Sequence, residues 1–277
     1  MSFIYTDMKI SDDLVLEVAD TGEGADNTVL IVHAFGGPDS IIRRVVDDLR
    51  QTFRVISWRS RGMPGSPAGH PSQFTVELLS KDIDAVLDTL GVGDAHLISI
   101  CSGAPMCVEA IRRAPKRYRS FVGIMPYIPG IGCPTSFNHL LSDLCHKICK
   151  DGTYASTGWK ILTAGGGDMP VESEPALWLT EQGSNMLRSP SSLEFYAHFW
   201  KALQEYKLPA DLSFLNTPVL LVNGFDENVC VASFTHATAL AERISHARVS
   251  LDSRYTHASI AYDSDLIREI RDFLIAN

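Results

Sequence analysis

The chain has 277 residues, 45% hydrophobic and 21% charged, which suits a water-soluble globular protein with a large core. Its formal net charge of −9 argues against recognition of nucleic-acid phosphates. The first ten residues include Asp7 and no apolar h-region, and no apolar run approaches a membrane span. The expectation is a cytoplasmic protein with neither nucleic-acid nor membrane partners.

In chain order, strand and helix signals alternate. Residues 14–18 read as an early strand, and Thr28–Val32 as a strand covered on both faces. Ile41, Ile42, Val45, Val46 and Leu49 recur at helical spacing. A strand follows over 53–58. Val76, Leu79, Ile83, Val86, Leu87 and Leu90 form a helical stripe. Residues 96–100 read as a strand, 102–113 as a helix and 120–125 as the next strand. The alternation stops from 127 to 212, where the pattern is mainly helical, with a Gly165-Gly166-Gly167 run that reads as a joint between helices. Strands resume at 218–222 and 248–251, with helices at 232–244 and 264–275. The expected fold is α/β, a mostly parallel sheet flanked by helices. Its core spans 1–126 and 213–277, with an inserted helical cap over 127–212.

Six cysteines do not make a disulfide framework in a chain this long. Cys145 and Cys149 flank His146, but a second ligand pair does not follow, so they read as helical cysteines of the core. Cys101 differs. Ser99-Ile100-Cys101-Ser102-Gly103 lies where a strand meets a helix, with small residues two before and two after the cysteine. A tight strand-to-helix turn demands that spacing, since larger side chains would strike backbone. A helix N-terminus favours a thiolate. Ser102 is the rival nucleophile, but Ile100 would then fill a position that must be small.

This segment resembles the Gly-x-Ser-x-Gly elbow of α/β hydrolases, with Ser99 for the first glycine and Cys101 for the serine. The resemblance implies the chain order nucleophile, acid, histidine. Asp226 follows the strand after the insert, with Glu227 next to it as the other candidate acid, and His257 follows the last strand. The resemblance implies His257 as the base, with Asp226 orienting its ring. His33-Ala34-Phe35-Gly36-Gly37 resembles the His-Gly-x-Gly segment, which implies the Phe35 and Ser102 backbone N–H groups as oxyanion donors. Trp58-Arg59-Ser60-Arg61-Gly62 resembles the Asp-x-Arg-Gly segment, with Arg61 as a structural donor and Arg59 open to a substrate role.

A thiol nucleophile leans toward thioester exchange, because both leaving groups are then thiolates of similar pKa. The chain looks like the cysteine-based aminoacyltransferases of nonribosomal peptide assembly, which resemble type II thioesterases. That likeness implies acyl or aminoacyl transfer from a carrier-protein thioester, through acyl-Cys101, to a second thiol. The partner would be an acyl or peptidyl carrier protein, and the substrate would ride on phosphopantetheine. The alternative is a thioesterase, esterase or lactone hydrolase using the same triad. Neither metal nor bound organic cofactor is implied. Arg112, Arg113, Lys116, Arg117 and Arg119 cluster at the far end of the elbow helix and read as complements of its dipole. Phe195, Tyr196, Phe199 and Trp200 could line an acyl pocket but at helical spacing read first as core.

Overall fold

The computed structural model describes residues 4–22, 27–37, 39–63, 66, 73–134, 136–164, 188–224, 234–256 and 259–277. Eight strands among them form one sheet: β1 (Tyr5–Ser11), β2 (Leu14–Asp20), β3 (Thr28–Val32), β4 (Arg54–Trp58), β5 (Ala95–Ile100), β6 (Tyr118–Ile124), β7 (Val219–Asn223) and β8 (Arg248–Leu251). Their order across the sheet is β1-β2-β4-β3-β5-β6-β7-β8. β2 runs antiparallel to β1 and β4, and every other pairing is parallel. Strands β3, β5 and β7 are buried along their whole length; β3 and β7 accordingly read as apolar runs, while β5 also buries His96 and Ser99.

The crossovers are helices α1 (Ser40–Leu49), α2 (Val76–Thr89) and α3 (Ala104–Arg113), with α7 (Phe234–Ala241) before β8 and α8 (Ser264–Ile275) after it. Each lays an apolar stripe on the sheet. On α1 the stripe is Ile41, Ile42, Val45, Val46 and Leu49, all buried. Side-chain caps fix two of the helix starts. The Thr75 hydroxyl accepts the Leu78 N–H at 3.0 Å, and the Asp263 carboxylate accepts the N–H groups of Asp265 and Leu266.

Between β6 and β7 lie α4 (Ser136–Lys150), α5 (Thr153–Ala164) and α6 (Pro190–Glu205). α6 packs on both α4 and α5, and Trp200 Nε1 on α6 donates to Ser142 Oγ at 3.0 Å. The glycine run 165–167 lies outside the described residues. No helix among the described residues is long and apolar enough to cross a membrane.

The sequence reading passed over β1. Thr6, Asp7 and Lys9 are exposed, and this edge strand has only β2 as a neighbour. The elbow helix was expected from 102; instead a 3-10 turn spans Cys101–Gly103 and α3 begins at Ala104, with Pro105 in its first turn. Proline suits that position, because no N–H is needed there.

Parallel pairing brings one set of strand ends to a single edge. Ser99 pairs with Val32, Ile100 with Ile124, Ile124 with Val222, and Asn223 with Leu251. The loops after β3, β5, β6, β7 and β8 therefore leave the sheet side by side, the usual place for a site in an α/β fold.

Candidate active site

Cys101 follows the last residue of β5, and its backbone is left-handed, with φ 47°. Among the described residues, only Met125 is another non-glycine at positive φ, also 47°, and it leaves the neighbouring strand β6 at the same edge. Such a backbone costs roughly 1–3 kcal/mol and persists only where its surroundings enforce it.

The surroundings are visible. Tyr127 N–H donates to the Cys101 carbonyl at 3.1 Å, tying the turn to the chain leaving β6. On the other side, Gly103 lies against the end of β3. A Cβ on Gly103 would fall 2.6 Å from the Val32 carbonyl oxygen and 3.2 Å from that of His33. Only glycine fits there, which explains the small residue two places after the cysteine. Ser99, two places before, is fully buried between Val32 of β3 and Gly123 of β6. Cys101 is itself buried, in the first turn before the helix that its dipole addresses.

The loop after β3 meets this turn. Gly37 N–H closes a turn onto the Ala34 carbonyl at 2.9 Å. Phe35 N–H points at the elbow and donates to Ser102 Oγ at 3.2 Å, across 67 residues of chain. The two residues expected to supply oxyanion donors are thus adjacent. His33 is buried, and neither ring nitrogen has a hydrogen-bond partner. Burial pulls its pKa down to about 4; Asp39 opposes the change and Arg59 adds to it. His33 is therefore neutral at pH 7 and packs under the loop, in line with a structural role.

The acid and base candidates Asp226, Glu227 and His257 lie outside the described residues. Their flanks are described and touch. Asp252 N–H reaches the Asn223 carbonyl at 3.3 Å, and a Cβ on Gly224 would fall 1.7 Å from the Tyr255 carbonyl oxygen. Gly224 stands two residues before Asp226, and Tyr255 two before His257.

An aromatic layer covers the elbow's flank. Phe35 stacks on Phe199 of α6, with centroids 4.1 Å apart and planes 8° from parallel. Tyr127 stacks on Trp200 at 5.5 Å and meets the His236 ring at 5.1 Å. Tyr196, Phe199 and Trp200 are all buried. They are core, as helical spacing suggests, yet core directly above the candidate site. Tyr127 hydroxyl accepts from Gln204 Nε2 at 2.8 Å, and burial pushes its pKa up. Tyr127 and His236 were absent from the sequence reading. The position of Tyr127 just past a strand at the loop-bearing edge is the signal that could have flagged it.

Arg59 and Arg61 are spent on structure. Arg59 pairs with Glu17 and Asp39 and lies over the Tyr5 ring, 4.5 Å from its centroid. That pairing is in line with a structural role for Arg59. Arg61 pairs with the buried Asp82 of α2, its Nε 2.9 Å from Oδ2. The basic cluster beyond α3 is also neutralised: Arg113 pairs with Asp84, Arg117 with Asp88 and Arg119 with Asp94. Cys145 is buried and Cys149 half-buried, and burial pushes both thiols up.

Comparison with known proteins agrees with this architecture. A family described as "alpha/beta hydrolase fold" matches residues 27–144. A curated protein of Stutzerimonas stutzeri (strain A1501), named "Putative carbamate hydrolase RutD", is 23% identical over 257 residues, covering 88% of this chain and 89% of its own. The enol-lactonase of Burkholderia xenovorans LB400 superposes with a TM-score of 0.78 at 21% identity, covering 98% of this chain and 99% of its own. A thermophilic esterase from Thermogutta terrifontis superposes with a TM-score of 0.75 at 17% identity, covering 98% of each chain. Strand order and these likenesses together show that this chain has the α/β-hydrolase fold.

Proposed function

We propose that the chain is a hydrolase that cleaves an ester, lactone or thioester through an acyl-Cys101 intermediate. His257 is the base and Asp226 the acid that orients it. Residues 127–212 form a cap over the site. The observation that carries this reading is Cys101 held at φ 47° between β5 and α3, with the Phe35 N–H bonded to the hydroxyl of its neighbour Ser102. That strained turn raises a side chain out of the sheet edge toward backbone donors, as covalent acyl chemistry requires.

The step balances as follows. His257 takes the Cys101 thiol proton, the sulfur attacks the carbonyl carbon, a C–S bond forms, and the C=O π pair moves onto oxygen. Donors at Phe35 and Ser102 stabilise that oxyanion. Collapse breaks the bond to the leaving group, which takes a proton from His257. Water, deprotonated by His257, then attacks the acyl carbon; the C–S bond breaks and His257 returns the proton to sulfur, freeing the acid and the Cys101 thiol. The cysteines among the described residues form no disulfide, in keeping with a reducing cytoplasm.

One observation favours a second reading. The nucleophile is a thiol, so its acyl adduct keeps thioester activation and can pass to another thiol, such as that of a phosphopantetheinyl carrier protein. The hydrolase reading stands first because the similar proteins carry hydrolase, lactonase and esterase names.

Steady-state assays on a panel of esters, lactones and acyl-pantetheine thioesters, with and without an acceptor thiol, separate the readings. Release of free acid that is unchanged by the acceptor supports the hydrolase. Diversion of the acyl group to the acceptor at the expense of acid selects the transferase. Turnover that survives in Cys101→Ala would refute both.

A further inference from the structure

The Ser102 side chain stands where neither its rival role as nucleophile nor the role of its backbone N–H accounts for it. Its hydroxyl is buried at the mouth of the elbow turn and takes up the N–H that is expected to hold an oxyanion, that of Phe35, at 3.2 Å. Two placements follow. If the hydroxyl only capped that N–H, an oxyanion would have to displace it and strand a buried polar group. If instead the hydroxyl keeps the Phe35 N–H as its donor, its own O–H remains available to donate in turn. A hydroxyl both accepts and donates, and accepting from an N–H polarises its O–H and strengthens the bond it gives.

Room to swing aside is limited. Cys101 and Gly103, on either side of Ser102, are buried, and Gly103 is held against Val32 and His33. Phe35 is pinned by its stack on Phe199. The donor chain Phe35 N–H, Ser102 Oγ–H is thus built before substrate arrives, as electrostatic preorganisation requires.

We infer that the Ser102 hydroxyl is a donor of the oxyanion hole, relaying the Phe35 N–H to the developing negative charge. This rests on Cys101 being the acylated nucleophile. No proton changes owner in the relay. As the sulfur–carbon bond forms and the π pair moves to oxygen, the Ser102 O–H shortens its hydrogen bond to that oxygen, and it relaxes when the carbonyl re-forms.

The test compares two reactions of the same thiol. Acylation by a p-nitrophenyl ester develops an oxyanion, whereas alkylation by iodoacetamide displaces iodide at a saturated carbon and does not. Both rates are measured on wild type, Ser102→Ala, Ser102→Thr and Cys101→Ala. Ser102→Ala should acylate on the order of 10²-fold more slowly with little change in KM, which is the cost of losing one oxyanion donor. Ser102→Thr keeps a hydroxyl and should recover most of the rate. Both variants should alkylate at the wild-type rate. Equal acylation in wild type and Ser102→Ala overturns the relay and leaves Cys101 as nucleophile. A parallel drop in alkylation also overturns it, by assigning the loss to the thiol. If wild type alkylates at Cys101 but is not acylated there, the nucleophile reading fails and the relay falls with it.

Discussion

The two edges of the sheet treat polar groups differently. At the edge where α3 ends and β6 begins, arginines meet carboxylates: Arg113 with Asp84, Arg117 with Asp88, Arg119 with Asp94. At the opposite edge, where β3, β5 and β6 end, both non-glycine residues of positive φ among the described residues are found, Cys101 and Met125. The His33 ring nitrogens and Ser99 Oγ are buried there without partners. Even the Phe35 N–H spends its hydrogen bond on a serine hydroxyl beside the cysteine. Unsatisfied polar atoms do not separate the two edges, since Arg117 Nε is also buried without a partner at the first, but the left-handed backbone does. The two positive-φ residues single out the loop-bearing edge as the candidate working one.

Substitutions at each edge can break or sharpen that contrast. The largest effect on stability is expected at Arg61, which closes the loop behind the working edge. Arg61→Met leaves the Asp82 carboxylate buried and unpaired. It should cost about 3–5 kcal/mol, or roughly 10 °C of Tm, read by thermal denaturation. A stability loss below about 1 kcal/mol would mean that Asp82 is protonated or solvated in the variant.

His33 gives a pH signature on the order of 3 kcal/mol, from a folded pKa of about 4 against an ordinary 6.5. Because the folded pKa is the lower one, the unfolded chain binds the proton first as pH falls. The contribution is whole above pH 6.5 and is lost progressively on acidification toward pH 4. His33→Asn should flatten the fall of Tm over that window. An unchanged slope would assign the acid sensitivity elsewhere.

Gly103→Ala drives a Cβ to within 2.6 Å of the Val32 carbonyl. Overpacking of this kind costs roughly 1–3 kcal/mol. It should also slow turnover more than it lowers Tm, because the turn carrying Cys101 must move. The smallest effect belongs to the other edge. Arg119→Ala removes a partly exposed pair with Asp94 and should cost at most about 1 kcal/mol, leaving kcat/KM at the wild-type value.

The working edge was also the more legible one in the sequence. Small residues at 99 and 103 around Cys101 encode the elbow, because steric limits on a strand-to-helix turn act within five residues. The buried strands were readable from apolar runs for the same local reason. What could not be read was long-range. Nothing near Phe35 in sequence announces that Phe199 will stack on it, or that the Ser102 hydroxyl will meet its N–H. Likewise the carboxylates that claim Arg59, at positions 17 and 39, are unremarkable until the fold assembles them. β1 was missed because an edge strand buries little and its alternation is correspondingly weak.

The most direct test of the account is to locate the acyl group. Wild type is mixed with an activated acyl ester, quenched within the first turnover, and digested for peptide mass mapping. The account predicts one acyl group on the peptide containing Cys101, assigned by fragmentation to the cysteine and absent from Cys101→Ala. An acyl group on Ser102, or single-turnover product release with no adduct at any time, would contradict it.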